Sequence, residues 1–309
     1  MKDLVSIVIR TWNRKEDLKE TLEILKNEQY IPLEIIVVDN GSTDGTDSMM
    51  TSKYPEVHFI KLSKNLGVEA TNIGIEKAKG KFILLLDDDS HPQPGSISKA
   101  VEKFKENSKL GILAFKTIDS PTNFCPQEKF EKGKSKEEIK SGIKVKIFRG
   151  GGVMVKKEVV EKVGGYPKDF FWVGEESDLA MRALYAGYEI RYFPELIVIH
   201  RVSPKNRDLK KKTYYETRNL IWLYWKYSPV LLAFLKTTYS VFHLGFKALR
   251  NKVFLSYFKG LIDGIKKLPS IMKQRKIVYT QTIKFLVYSF CEKIFRNFQR
   301  KHEDSKNYS

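Results

Sequence analysis

The strongest constraint on the fold is the order of segments in the first ninety residues. "LVSIVIRT" is a short β-branched apolar run that breaks into a polar loop, and "KEDLKETLEILKNE" follows with Leu18, Leu22 and Leu25 at helical spacing. "LEIIVVDNGSTDGT" repeats the run and the loop. "SKNLGVEATNIGIEKAKG" then adds a loop and a helix with a glycine stop at Gly80, before "FILLLDDDS" opens another run. Strand, loop, helix, strand is the pattern of an α/β chain whose mostly parallel sheet is covered by helices.

Ligands of open α/β sheets bind beyond the carboxyl ends of the strands, so Thr11 to Arg14, Asp39 to Ser42 and Asp87 to Asp89 are expected to line one crevice. Side chains at i and i+2 of a strand share a side. Asp87 and Asp89 therefore converge, while Asp88 points elsewhere. Two convergent carboxylates form half of a site for a hard divalent cation, the rest coming from substrate phosphates.

Farther on, residues 116 to 146 are polar, rich in lysine and without periodicity. They read as an irregular connection or a mobile flap that orders with ligand. "RGGGVMV" leads to a helix over residues 157–163 stopped by Gly164 and Gly165. Another helix starts in "GEESDLAMRALYAGY", and "IRYFPELIVIH" alternates as strands do. Gly150, Gly151 and Gly152 remove three successive side chains and permit close backbone approach.

Charge divides the chain. Lysine plus arginine balance aspartate plus glutamate at 31 each over residues 1 to 200, whereas residues 201 to 309 carry 24 against 6. The second part is also aromatic and aliphatic, with Lys226, Lys236, His243 and Lys247 interrupting its longest apolar stretch. That mixture suits helices lying in a membrane interface and drawn to anionic lipid. A single spanning helix near 229–249 is the alternative, although a clean span needs about 20 apolar residues with few charges. A nucleic-acid partner is not expected, since no recognition motif accompanies the charge. Only Cys125 and Cys291 are present, so a disulfide framework is excluded and a reducing compartment is implied. "MKDLVSIVIR" lacks a long apolar stretch before a small-residue cleavage site, and the catalytic body is expected in the cytoplasm.

Taken in order, "VSIVIRTWNR", "IIVVDNGSTDGT", "NLGVEATNIGIEKAKG", "FILLLDDD" and "GEESDLAMR" resemble the motifs of family 2 glycosyltransferases with the GT-A fold, those of cell-surface glycan assembly included. The resemblance covers residues 3 to about 200. It implies a GT-A domain over 1–203, with a nucleotide-binding half of about 1–110 and an acceptor half of about 111–203. A basic, aromatic, helical region at 204–309 would follow. It further implies that Thr11, Asn13, Arg14, Asp39, Asn40, Asn65, Gly67, Asp87 and Asp88 contact the nucleotide. Asp87 and Asp89 of the DXD motif would hold Mg²⁺ or Mn²⁺, with His200 as a third ligand. Glu176 would be the base that deprotonates the acceptor, oriented by Asp178, and the α-helix dipole would keep a first-turn carboxylate ionised. Relatives often have Asp at positions 40 and 176 and Arg at position 71, where this chain has Asn40, Glu176 and Thr71.

The expected activity is inverting, metal-dependent sugar transfer from a UDP- or dTDP-linked donor to a hydroxyl of a glycan or polyprenyl-linked acceptor, at the cytoplasmic face of an anionic membrane. A dinucleotide oxidoreductase would need a G-x-G-x-x-G turn after the first strand, and "IRTWNRKED" has none. A non-catalytic binder of membranes or nucleic acid that uses only the basic region is the remaining rival.

Overall fold

The computed structural model describes residues 2–205 and 208–277. These divide into two compact units, one ending at Asp208 and the other starting at Leu209. Residues 278–309, including Cys291 and the last aromatic stretch, lie outside the described residues.

The first unit is a nine-stranded sheet with helices on both faces. Its strands are β1 (Val5–Thr11), β2 (Leu33–Asp39), β3 (His58–Lys61), β4 (Phe82–Asp87), β5 (Ser90–Pro92), β6 (Leu110–Asp119), β7 (Ile143–Lys144), β8 (Val153–Lys156) and β9 (Glu189–His200). The helices between them are α1 (Lys15–Leu25), α2 (Thr46–Lys53), α3 (Glu69–Lys77), α4 (Ser96–Glu106), α5 (Lys136–Lys140), α6 (Lys157–Val163) and α7 (Glu175–Tyr185). Strand order is β3-β2-β1-β4-β8-β6-β9-β5, with β7 also on β9. The pairs β1–β2, β1–β4 and β2–β3 are parallel, as the alternation of strands and helices predicts. Beyond β4 the sheet becomes mixed, because β8 runs antiparallel to both β4 and β6.

Alternation along β4 explains both faces of the core. Phe82, Leu84 and Leu86 pack with Leu18 and Leu22 of α1 and Phe104 of α4. Ile83 and Leu85 pack on the opposite side with Ile75 of α3, Val159 of α6 and Leu179 of α7. A strand buried on both faces must be apolar throughout, which is why five apolar residues run without a polar break up to Asp87.

Residues 116 to 146 correct the expectation of an irregular flap. β6 continues to Asp119, a 3₁₀ turn occupies Glu128–Phe130, and α5 begins in a capping box where Ser135 and Glu138 bond each other's backbone N–H. The segment then joins the sheet through β7. Its helix has five residues, too few to leave a period in the sequence. β9 is a single strand with a register jump: Phe115 pairs with Phe193 and Lys116 with Ile197. The skipped residues begin with Pro194, which cannot donate to a ladder. Helix α3 ends at Lys77, and Gly80 serves instead to bring its N–H to Ser6 Oγ at 2.8 Å.

The second unit contains α8 (Leu209–Tyr227), α9 (Val230–Arg250), α10 (Phe254–Lys266) and α11 (Leu268–Lys273). Leu244 and Ala248 of α9, Tyr257 of α10 and Leu220 of α8 share one cluster, and Trp222 donates to the Gly264 carbonyl at 3.0 Å. No helix among the described residues is long and apolar enough to cross a membrane. Helix α9, which covers the stretch near 229–249, is among the helices of which this holds.

Candidate active site

Parallel register brings the acidic strand ends together. Thr11 pairs with Asp39 and Arg10 with Asp87, so β1, β2 and β4 end side by side. On the mixed side, His200 closes β9 opposite both Ser90 of β5 and Asp119 of β6.

Within this row the three aspartates differ. Asp88 is turned toward β1 and α1, as strand parity requires. It accepts from Thr11 Oγ1 at 2.8 Å and from Arg14 Nη1 at 3.0 Å. Burial pushes its carboxyl up to about 7 against the pull of Arg14. Asp89 is fully buried too, but His200, the Ser203 N–H and Arg14 outweigh its desolvation and hold it down at about 2. Asp89 is thus the more readily ionised of the two. Asp87, Asp89 and His200 each present a ligand atom within 4.8 Å of the others, and no other acidic, histidine or cysteine cluster of this kind occurs among the described residues.

These residues fit a divalent cation on one further observation. Asp89 Oδ1 is buried without a hydrogen-bond partner, and His200 Nε2 lies 3.3 Å from it. The adjacent Ser90 Oγ is also buried and unpartnered. Buried polar atoms normally find partners, so the unused oxygen marks a place for a ligand.

The nucleotide-contact residues expected from the sequence split into two groups. Asp39 is buried, keeps Oδ1 on the Ser42 N–H at 2.9 Å, and leaves Oδ2 without a partner. Burial raises its pKa. The others hold the site's own walls. Asn40 donates to Asn65 Oδ1 and to the Gly67 carbonyl, both at 3.0 Å, and accepts from Leu66 N–H at 2.7 Å. Every polar atom of that amide therefore serves the loop over residues 65–67. Asn13 accepts from Thr43 N–H at 2.7 Å and takes a positive φ of 52°. Thr11 and Arg14 are engaged with Asp88, and Arg14 also pairs with Asp89.

Gly67 links this loop to the acidic helix. It has φ +63°, and a β-carbon on it would collide with the Phe171 carbonyl oxygen, which accepts from Val68 N–H at 2.8 Å. The segment behind that carbonyl is strained, with Phe171 at φ 61° and Val173 at φ 68°, and Gly174 at φ 93° then starts α7.

Glu175 and Glu176 open that helix, Glu175 buried and Glu176 half-buried. Both carboxyls are raised, first by burial. Each also feels Asp87, and Glu175 feels Glu176. The dipole expected to keep Glu176 ionised is outweighed, since it contributes only about 0.3–1 kcal/mol at exposed sites. A β-carbon on Gly150 would stand 2.6 Å from Glu176 Oε1, and one on Gly151 would strike Asp87. Consecutive glycines therefore bring the acidic helix and the acidic strand end against one backbone. Asp178, expected to orient the base or an acceptor hydroxyl, has no exposed surface. It pairs with Arg182 at 2.7 Å, and that guanidinium also binds the carbonyls of Val163, Gly164 and Gly165.

Two residues of this cluster escaped sequence reasoning. Asp119 Oδ1 lies 2.6 Å from His200 Nδ1, and Arg149 Nη2 lies 2.7 Å from the same oxygen. Asp119 ends a strand, as Asp39 and Asp87 do, and that shared position was the available signal.

Comparison with known proteins agrees with this architecture. A profile described as Glycosyl transferase family 2 matches residues 6–164, and one described as N-terminal domain of galactosyltransferase matches residues 134–205. Glycosyltransferase AglE of Haloferax volcanii is 25% identical over 214 residues, 67% of this chain and 70% of its own length. An uncharacterized glycosyltransferase of Methanocaldococcus jannaschii is 29% identical over 227 residues, 69% and 77% of the two chains. Among solved structures, the mannosyltransferase PcManGT from Pyrobaculum calidifontis in complex with GDP-Man and Mn²⁺ is similar in fold. Its TM-score is 0.59 over 94% of this chain and 80% of that one, at 19% identity. With the family profile spanning half of its length on a GT-A sheet, this chain belongs to glycosyl transferase family 2 and is a glycosyltransferase.

Proposed function

We propose that the protein moves a sugar from a nucleotide-diphosphate donor, UDP- or dTDP-linked, to a hydroxyl of a glycan or polyprenyl-linked acceptor in one inverting displacement that uses Mg²⁺ or Mn²⁺. The observation that carries this reading is the convergence of Asp87, Asp89 and His200, with an unpartnered oxygen on Asp89. A cation bound by these side chains would offset the charge on the departing diphosphate. Asp39 Oδ2 suits the imide N–H of uracil or thymine. Glu176, raised by burial toward the working range of a general base, takes the acceptor proton beside the Gly150 backbone. The remaining rate comes from positioning, with no covalent intermediate. Titration of UDP, dTDP and GDP into the protein with excess Mn²⁺ tests the reading. Mn²⁺-dependent heat with UDP or dTDP is expected, and no heat with any of the three overturns it.

The same reading holds the enzyme peripherally at the cytoplasmic face of an anionic membrane. Leu231, Phe234, Phe242, Phe246 and Leu249 of α9 are exposed, Phe242 at 74%, as are Leu255, Phe258 and Ile262 of α10, Leu255 at 84%. Exposed Lys247, Arg250, Lys252, Lys259 and Lys266 lie among them. Apolar patches of this extent mark interaction surfaces, and the interspersed cations favour anionic lipid. Flotation with phosphatidylglycerol vesicles but not phosphatidylcholine vesicles is expected. Retention on DNA at matched salt without flotation would favour the nucleic-acid rival instead.

A further inference from the structure

We infer that Asp119 is a positioning residue for the cation site: it fixes the proton of His200 on Nδ1 and so leaves the Nε2 lone pair facing Asp89. The inference rests on the metal reading above for its consequence, although not for its geometry.

In its neutral form, the one a cation binds, His200 has two ways to place its single ring proton. In the first, Nδ1–H donates to Asp119 Oδ1 at 2.6 Å, and Nε2 carries the lone pair. In the second, Nε2–H points to Asp89 Oδ1 at 3.3 Å, and Nδ1 accepts from Arg149 Nη2 at 3.2 Å. The distances favour the first, since 2.6 Å between a carboxylate oxygen and a ring nitrogen requires a proton between them and 3.2–3.3 Å contacts are weak. Asp119 Oδ1 meets the Arg149 guanidinium at 2.7 Å and the imidazole nitrogen at 2.6 Å, so it acts as an acceptor toward both and the proton belongs to the imidazole. Arg149 has no lone pair to offer and accordingly aims Nη2 at Asp119 Oδ1 too, at 2.7 Å. A neutral imidazole with its second nitrogen tied to a carboxylate is the form that binds cations, and such outer partners set ligand orientation and basicity.

The placement comes from the sheet. Asp119 and His200 are register partners on the parallel strands β6 and β9, so their side chains rise on the same side. Arg149 immediately precedes Gly150, which makes Asp119 the common anchor of the imidazole and of the glycine segment against Glu176.

The test uses the full chain with ¹⁵N-labelled histidine, the His200 signals assigned by their loss in His200→Gln. Long-range ¹H–¹⁵N spectra, at a pH where the ring is neutral, are expected to show the Nδ1–H tautomer in the unsubstituted protein and Nε2–H or an averaged signal in Asp119→Ala. Calorimetry with Mn²⁺ alone is expected to show Kd rising about 10- to 100-fold in Asp119→Ala. Asp119→Asn should rise less, because its amide oxygen still accepts from Nδ1–H, and it serves as the test variant if the alanine protein melts early. An Nε2–H tautomer in the unsubstituted protein, or an unchanged Mn²⁺ Kd in a folded Asp119→Ala, overturns the inference. If the unsubstituted protein takes up no Mn²⁺, the metal reading fails and the tautomer spectrum alone decides the role of Asp119.

Discussion

Glu176 Oε1 and Gly150 are so close that a β-carbon on the glycine would stand 2.6 Å from the carboxylate oxygen. Gly150 has an ordinary negative-φ backbone, so Gly150→Ala should fold while pushing the carboxylate aside. A displacement near 1 Å at a reacting group can cost about 10²-fold in rate. We expect kcat/KM of Gly150→Ala to fall by about that factor, and Glu176→Gln to lose about 10³-fold, with melting temperatures close to the parent. Normal turnover by Glu176→Gln would remove this residue from the role of base.

Asp89 combines two duties that substitution can separate. Its Oδ2 accepts from Ser203 N–H at 2.9 Å and pairs with Arg14 at 3.4 Å, while Oδ1 is unpartnered. Asp89→Asn retains an acceptor for Ser203 but removes the charge. Loss of measurable Mn²⁺ binding is expected, together with a destabilisation of about 1–3 kcal/mol from the weakened tie to Arg14. Calorimetry and denaturant titration of the same preparation check both, and an unchanged Mn²⁺ isotherm would contradict the assignment.

Asn40 should not tolerate replacement by Asp. The amide gives two hydrogen bonds to acceptors, Asn65 Oδ1 and the Gly67 carbonyl, that a carboxylate can only repel. Asn40→Asp is expected to destabilise by about 2 kcal/mol or more and to weaken UDP binding through the displaced loop. Urea midpoints at pH 7 measure the first effect and nucleotide titration the second.

Acid should act on the rear edge of the sheet through Glu189. Burial alone would raise this carboxyl, but Lys144, Asn107 and Arg191 hold it at about 2, below its ordinary 4.5. A depressed carboxylate stabilises the fold fully above the unfolded pKa and loses that contribution as pH falls from about 4.5 to about 2. Solvent screening of the exposed Lys144 keeps the contribution to about 1 kcal/mol. Glu189→Gln is expected to be less stable at pH 7 and to show a flatter decline between pH 5 and pH 3. Parallel declines in the two proteins would argue against this pair network.

Local pattern carried much of the architecture. The apolar run ending at Asp87, the helix ending at Val163 before two glycines and the acidic start of α7 are each written within a dozen residues, so they can be read without tertiary knowledge. Strand parity likewise separated Asp88 from Asp87 and Asp89. What could not be read are partnerships made across the chain. Asn40 with Asn65, Asp178 with the Val163 to Gly165 carbonyls through Arg182, and Asp119 with His200 depend on which strands and helices lie adjacent. The positive φ of Phe171 and Val173 also has no sequence mark, because neither residue favours that region.

The division of labour between strand ends and loops bears on how such an enzyme diversifies. Asp39, Asp87, Asp119 and His200 terminate strands whose register fixes them, whereas residues 65–67, 150–152 and 171–174 are connections that surround them. Apart from Gly67, Gly150 and Gly151, whose missing side chains leave room for Phe171, Glu176 and Asp87, drift in those connections can reshape what the cleft admits while the acidic row stays where it is. New sugar repertoires would then be reached by editing the rim, leaving the inherited chemistry untouched.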